Sequence, residues 1–390
     1  MPAYDPCVAR EASPPRPIVV GDVVAAYSDD LGEWTAAQVT DLDPEWKTAG
    51  VLEFDWSGPE PESLADLGQL KPLVLTHHAH TGRLSHCNFE WLLPRGYKRL
   101  GNTDLIHDRK SNSYSASWGI GRQLAAQRRW DSGDRTTPTG IETYSEAEFR
   151  TAAAAGATAT VWDAEISDID RLDCRDLVEA LPNVRRLTLT GNLGTLVNAD
   201  ALNQLLRLRR IAIQDLFGMT KEDCLLVSSA PDLQFLGLYS VPAEYAAAMR
   251  RVWKAEVANG TDVEIRSPRK PEWVAENRDN PLRDWDGRPH ISGARYRKAV
   301  SHYKDARRAV IELLSTRGVD QAGLIQIGQD FGEAFNRLDG NRNPFIETEE
   351  REELFAALDA AVAAAELEAG EEFAAAQTHL YEGVERVRSW

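Results

Sequence analysis

Three stretches of this chain, "VRRLTLTGN" from Val184, "LRRIAIQDL" from Leu208 and "LQFLGLYSV" from Leu233, share the pattern apolar-x-x-apolar-x-apolar and begin 24 and 25 residues apart. A weaker copy precedes them in "VWDAEI", with Val161, Ala164 and Ile166, and another follows in "TDVEIRS", with Val263 and Ile265. Each alternating stretch predicts a short strand with one buried face, and the intervening "CRDLVEALPN" and "AEYAAAMRRVWKAEVANG" predict helical backing. A strand plus a helix every 23 to 27 residues cannot bury its own apolar face. Stacking successive units does bury it, so the strands are expected to line up as a short parallel sheet covered by helices on one side.

Over roughly residues 155–268 this pattern resembles the helical-backed leucine-rich repeat family. The terminal copies depart from it: Ala164 stands where a leucine is usual, and Gly260 takes the first apolar place of the last unit. The resemblance implies a short solenoid that binds a protein or peptide on its concave side, through the strand residues flanking the core positions. On that reading Arg186, Arg210, Gln214, Phe235, Tyr239 and Glu264 are the expected contacts, aromatic and arginine side chains being the usual interface anchors.

Nearer the N-terminus the pattern shortens to alternating strands in "IVVGDVVAAYSD", "EWTAAQVTDLD", "TAGVLEFDWSG" and "LADLGQLKPLVL", separated by Asp, Gly and Ser. This predicts a small antiparallel barrel. Residues 17–75 resemble a Tudor- or SH3-like barrel, with "LEFDWSG" where Tudor domains carry Phe-Asp-Tyr-Gly. The resemblance implies an aromatic cage for a methylated cation, made by Tyr27, Trp34, Phe54 and Trp56 and acting through cation–π attraction. The alternative is that the same rings fill the barrel core and its lip.

Residues 76–150 follow neither pattern and are expected to connect the two modules. "THHAHTGRLSHC" gathers His77, His78, His80, His86 and Cys87. His78, His80 and His86 are the expected ligands if the segment binds zinc; otherwise they are surface or turn residues. Further on, Arg95, Lys98, Arg99, Arg109, Lys110, Arg122, Arg128, Arg129 and Arg135 are interleaved with Tyr97, Tyr114, Trp118 and Trp130. Such a mixture suits nucleic acid, or docking onto the acidic remainder of the same chain.

After a polar connector, residues 269–390 carry helical periodicity and predict three or four helices in a small bundle. Within them "LDGNRNPFIETEE" places Asp339, Asn341, Asn343, Ile346 and Glu350 at EF-hand spacing. Pro344 occupies the position that needs a positive φ, so a helix–helix corner is expected instead of a calcium loop.

The whole thus reads as a multidomain α+β chain of 390 residues, opening with a disordered leader over 1–16. A net charge of −17 argues against a protein whose main task is coating DNA or an anionic membrane. Four scattered cysteines without a C-x-x-C point to free thiols and a cytoplasmic setting. No catalytic motif is present, so no catalytic residue and no cofactor is assigned. The layout resembles bacterial leucine-rich repeat proteins. The leading expectation is a non-enzymatic interaction scaffold with an unidentified protein or peptide partner and no membrane association. A nucleic-acid-associated factor using the barrel and the 95–135 segment, and a metal-dependent enzyme using the histidines, are the alternatives.

Overall fold

The computed structural model describes residues 17–111, 113–115, 118–136, 140–340 and 343–390. The expected leader over 1–16 and Asn341 of the calcium-like loop lie outside them. The chain is mixed α/β and divides after Lys270 into two compact units.

The first unit begins with an antiparallel sheet. Strands β1 (Asp22–Ser28), β2 (Glu33–Asp43) and β3 (Thr48–Gly58) form a meander. A two-stranded pair, β4 (Val74–Leu75) and β5 (Arg83–Leu84), follows. Strands β6 (His86–Glu90) and β7 (Lys98–Asn102) then join the meander to give the order β6-β3-β2-β1-β7.

Both faces of this sheet are buried, which explains the near-continuous apolar run "DVVAA". Val24, Ala26, Val39 and Val51 pack on one face beneath Trp118 and Ile120. Val23, Ala25, Ala36 and Phe54 pack on the other with Trp34, Trp56 and Leu67. Residues 76–150 therefore do more than connect: they supply two strands of the sheet and the cover for one face. Helix α1 (Arg122–Ser132) adds Leu124, which packs against Leu73 and Leu75.

The second sheet is parallel and six-stranded, in the order β13-β12-β11-β10-β9-β8. Its strands are β8 (Ile141–Ser145), β9 (Asp163–Asp173), β10 (Arg186–Val197), β11 (Arg210–Phe217), β12 (Phe235–Tyr239) and β13 (Asp262–Arg266). Helices α2 (Glu146–Ala154), α3 (Cys174–Ala180) and α4 (Ala243–Trp253) lie between them, with short 3-10 turns after β10 and β11.

The register follows the sequence repeat. Leu187, Ile211, Leu236 and Val263 form one row, and Leu189, Ile213, Leu238 and Ile265 the next. The six residues of these rows on β10, β11 and β12 are at most 1% exposed. Fully burying such a side chain contributes about 1.5–3 kcal/mol, so these two rows dominate the stability of the sheet. A further copy of the repeat is written in the backbone. Asp168, Asp215, Ser240 and Ser267, each five residues after the first residue of its strand, have φ between 49° and 55°. Asp adopts this left-handed conformation more readily than most residues. In β9 and β11 it falls within the strand, where the register shifts, and in β12 and β13 the Ser falls just after the strand.

The second unit is helical: α5 (Pro271–Asn277), α6 (Gly293–Arg317), α7 (Gln321–Asp339), α8 (Thr348–Ala369) and α9 (Ala376–Val387). Its core joins Tyr303 and Val310 of α6 to Phe331 and Phe335 of α7, with Leu354 and Leu358 of α8 and Leu380 of α9. Helices α7 and α9 touch backbone to backbone. A Cβ on Gly328 would lie 2.2 Å from the Leu380 carbonyl oxygen, and one on Gly383 2.2 Å from that of Ile325. Only glycine permits that approach.

The calcium-like loop is a corner. Asp339 Oδ1 accepts the backbone N–H groups of Phe345 at 2.6 Å and Ile346 at 2.9 Å. Phe345 and Ile346 are buried and join the core of the helical unit. The cap of α8 is Glu347, which forms a reciprocal capping box with Glu350.

Candidate functional site

The residues just before the parallel strands, Arg185, Arg209, Gln234 and Gly260, form the seat for the antiparallel sheet. The turn after β1 places Asp29 between two guanidiniums, Arg185 at 2.5 Å and Arg209 at 3.2 Å. Arg209 also donates to the Tyr27 carbonyl at 3.0 Å. At the other end of the seat, Gln234 donates to the Arg95 carbonyl at 3.0 Å, and Arg95 pairs with Glu256 at 2.9 Å. Gly260 is required there: a Cβ would lie 2.3 Å from the Leu93 carbonyl oxygen.

Between the two sheets lies a cavity of about 500 Å³, a usual volume for a small-ligand site. Arg186, Arg209, Arg210 and Gln234 border it from the parallel sheet; Tyr27, Asp29, Glu53, Ser85, His86 and Tyr97 border it from the other side. Glu53 is a buried acid on the cavity wall. Its oxygens accept the Ser85 hydroxyl and the Gly121 N–H, both at 2.6 Å, yet burial outweighs these bonds and raises its pKa. Burial also lowers the His86 imidazole, which the nearby His107 reinforces, and raises the Cys87 thiol, which Glu53 reinforces.

Arg186 and Arg210 stand in register on neighbouring strands. Arg186 reaches Asp163 at 3.4 Å, whereas Arg210 lies over the Phe235 ring, 4.6 Å from its centre. Burial and the charge of Arg186 both disfavour the cationic form of Arg210.

Four of the six expected contact residues share the outward-facing surface with this pair. Phe235 and Tyr239 are half-buried and Gln214 is exposed. Gly237 lies between the two aromatic rings, and a Cβ there would meet them at 2.8 to 2.9 Å. Tyr239 donates to Glu264 at 2.7 Å; burial, helped by that carboxylate, pushes its phenol up to about 12.

The four cage aromatics are not brought together as an open box. Phe54 is fully buried, with Trp34 and Trp56 packed in the same cluster. Tyr27 faces the guanidiniums of Arg185 and Arg209 at 5.0 and 5.2 Å, and Trp34 takes Lys98 at 5.2 Å. The chain's own cations occupy the two rings best placed for cation–π attraction.

The histidines divide into two groups. His78 and His80 gather around His77, whose Nδ1 is 2.9 Å from Nδ1 of His78. His86 sits on β6, 2.7 Å from the Thr40 hydroxyl and beside His107. Among the described residues no three His, Cys, Asp or Glu side chains are arranged to hold a metal, so the trio His78, His80 and His86 does not form the expected centre.

Sequence reasoning missed Asp29, Glu53, Arg185 and Arg209. A signal for the arginines was present, since two repeat copies carry Arg-Arg at the same offset, 185–186 and 209–210. None marked Glu53, which sits inside an apolar strand. No family model matches the sequence, and no curated protein or solved structure matches it either.

Proposed function

We propose that this chain is a non-enzymatic interaction protein that captures a protein or peptide on the outward face of its parallel sheet. In this reading the sheet is a short leucine-rich-repeat-like solenoid, the N-terminal sheet a Tudor- or SH3-like barrel braced against it, and the C-terminal helices a small bundle. The observation that carries the proposal is the strip Phe235–Gly237–Tyr239. Two half-buried aromatic rings close over a glycine, between Arg210 and Gln214 on one neighbouring strand and Glu264 on the other. Half-buried aromatics ringed by polar groups are the usual chemistry of an interface anchor. The free thiols of Cys87, Cys174 and Cys224 accord with a cytoplasmic setting.

The nucleic-acid reading is second, because many of the cations meant to serve it are engaged within the chain. Arg95 pairs with Glu256, Lys98 with Glu60, Arg99 with Asp22 and Lys110 with Asp41. A peptide-display selection on the full chain tests the proposal. Peptides enriched on the wild type should lose at least about tenfold in affinity on the double variant Phe235→Ala, Tyr239→Ala, which removes two anchors. Equal binding to both proteins would reject this face.

A further inference from the structure

Arg186 and Arg210 lie directly beside one another on parallel strands, and both border the cavity. Like charges in such a pair destabilise a sheet unless a counter-charge is shared. Arg186 has Asp163. For Arg210, no carboxylate among the described residues comes within ion-pair distance; burial and Arg186 oppose its charged form, and the more distant Asp262 and Asp163 offset this only in part. An arginine cannot escape by losing its proton, so its position there calls for an anion.

One residue earlier, the same two strands show the arrangement completed. Arg185 and Arg209 share the Asp29 carboxylate, which is 4% exposed. The second arginine pair shares no carboxylate in this way: Arg186 reaches Asp163, Arg210 lies over Phe235, and both border the cavity. That space is bounded by further polar groups suited to the body of a ligand, Ser85 and Gln234 among them. Five arginines, Arg83, Arg122, Arg186, Arg209 and Arg210, border the cavity against three acids, Asp29, Asp30 and Glu53, and Asp29 is already paired with Arg185 and Arg209.

We propose that the cavity binds a small organic oxyanion, a carboxylate or a phosphate monoester, anchored by the guanidinium fork of Arg210. Arg186 is shared between that anion and Asp163. The site shares Arg186 and Arg210 with the face proposed for peptide capture. The anion would sit between the two sheets, however, and its test uses no partner protein, so its failure leaves the peptide reading standing.

The full chain is titrated calorimetrically with glutarate and with inorganic phosphate, and with sodium chloride at matched ionic strength. Saturable binding by glutarate or phosphate beyond the chloride control is expected, and the tighter of the two identifies the anion class. Arg210→Met should weaken it at least about tenfold, and Arg210→Lys less, because lysine keeps the charge but loses the fork. Asp163→Asn frees Arg186 and should tighten binding. If Arg210→Met fails to give the wild-type circular dichroism spectrum, Arg210→Lys carries the test, with a loss of at least about threefold expected. The proposal is overturned if neither anion saturates beyond chloride, or if the folded Arg210 variants bind as the wild type does.

Discussion

Asp29, on the turn after β1, accepts the Arg185 guanidinium at 2.5 Å across 156 residues of sequence, and so clasps the antiparallel sheet to the head of the parallel one. Arg209 completes the clasp. Replacing Asp29 with alanine leaves two partly buried arginines facing each other without a counter-charge. Removing one partner from such a group costs about 2–4 kcal/mol, less than the full buried-pair penalty because both arginines keep some solvent. A urea titration of Asp29→Ala should show a lower midpoint, whereas Asp30→Ala next to it should not. An unchanged midpoint for Asp29→Ala would show that the clasp contributes nothing.

Glu53 gives the first unit a pH dependence of defined sign. Its folded pKa lies above the ordinary value of 4.5 because burial disfavours the carboxylate. The folded state therefore holds a proton more tightly than the unfolded chain. Stability from this group is complete below pH 4.5 and falls as pH rises through the raised folded value. Glu53→Gln keeps the shape without the charge. Its melting temperature should gain on the wild type as pH rises above 4.5, until the raised folded pKa is passed, and parallel curves would contradict the assignment.

In the second unit Glu350 has the opposite sign. Burial alone would raise its carboxyl, but hydrogen bonds from His290, the Glu347 N–H and Arg288 outweigh burial and hold it below 4.5. Its contribution is present above pH 4.5 and is lost as pH falls through the lowered folded value. Glu350→Gln should cost about 2 kcal/mol at pH 7 and progressively less in acid. Asp339 is also committed, to two backbone N–H groups. Calcium and a chelator should accordingly leave the melting temperature where it was. A rise with calcium that Glu350→Gln abolishes would restore the metal reading.

Legibility differed between elements for identifiable reasons. Strands β10, β11 and β12 announced themselves because buried leucines and isoleucines alternate at one repeat spacing. Strand β8 did not: Ile141 is exposed, and only Tyr144 packs against the core, so "IETYS" carries no clear period. It joins the sheet through backbone pairing with β9, to which side-chain pattern is blind. Strands β6 and β7 went unread for a similar reason, being short edge strands with mostly polar side chains. The four aromatics of the proposed cage had a suitable order in the sequence. Burial of Phe54 and the approach of Arg185, Arg209 and Lys98 decided their use, and those contacts come from distant segments.

By itself, the sequence determined the parallel sheet, its register rows and the outward-facing residues, because periodic burial is a local property that repeats along the chain. It also excluded the ordinary calcium loop, since Pro344 holds φ where that loop needs the opposite sign. Only the tertiary structure decided that Asp29 meets Arg185 and Arg209, that Glu53 is sealed inside a strand, and that a cavity opens over Arg186 and Arg210. The first and last depend on the two sheets meeting, and Glu53 is sealed by Ser85 and Gly121, 32 and 68 residues away in sequence. Charge pairing at that range follows from where the folded layers come to rest, and no local spacing records it.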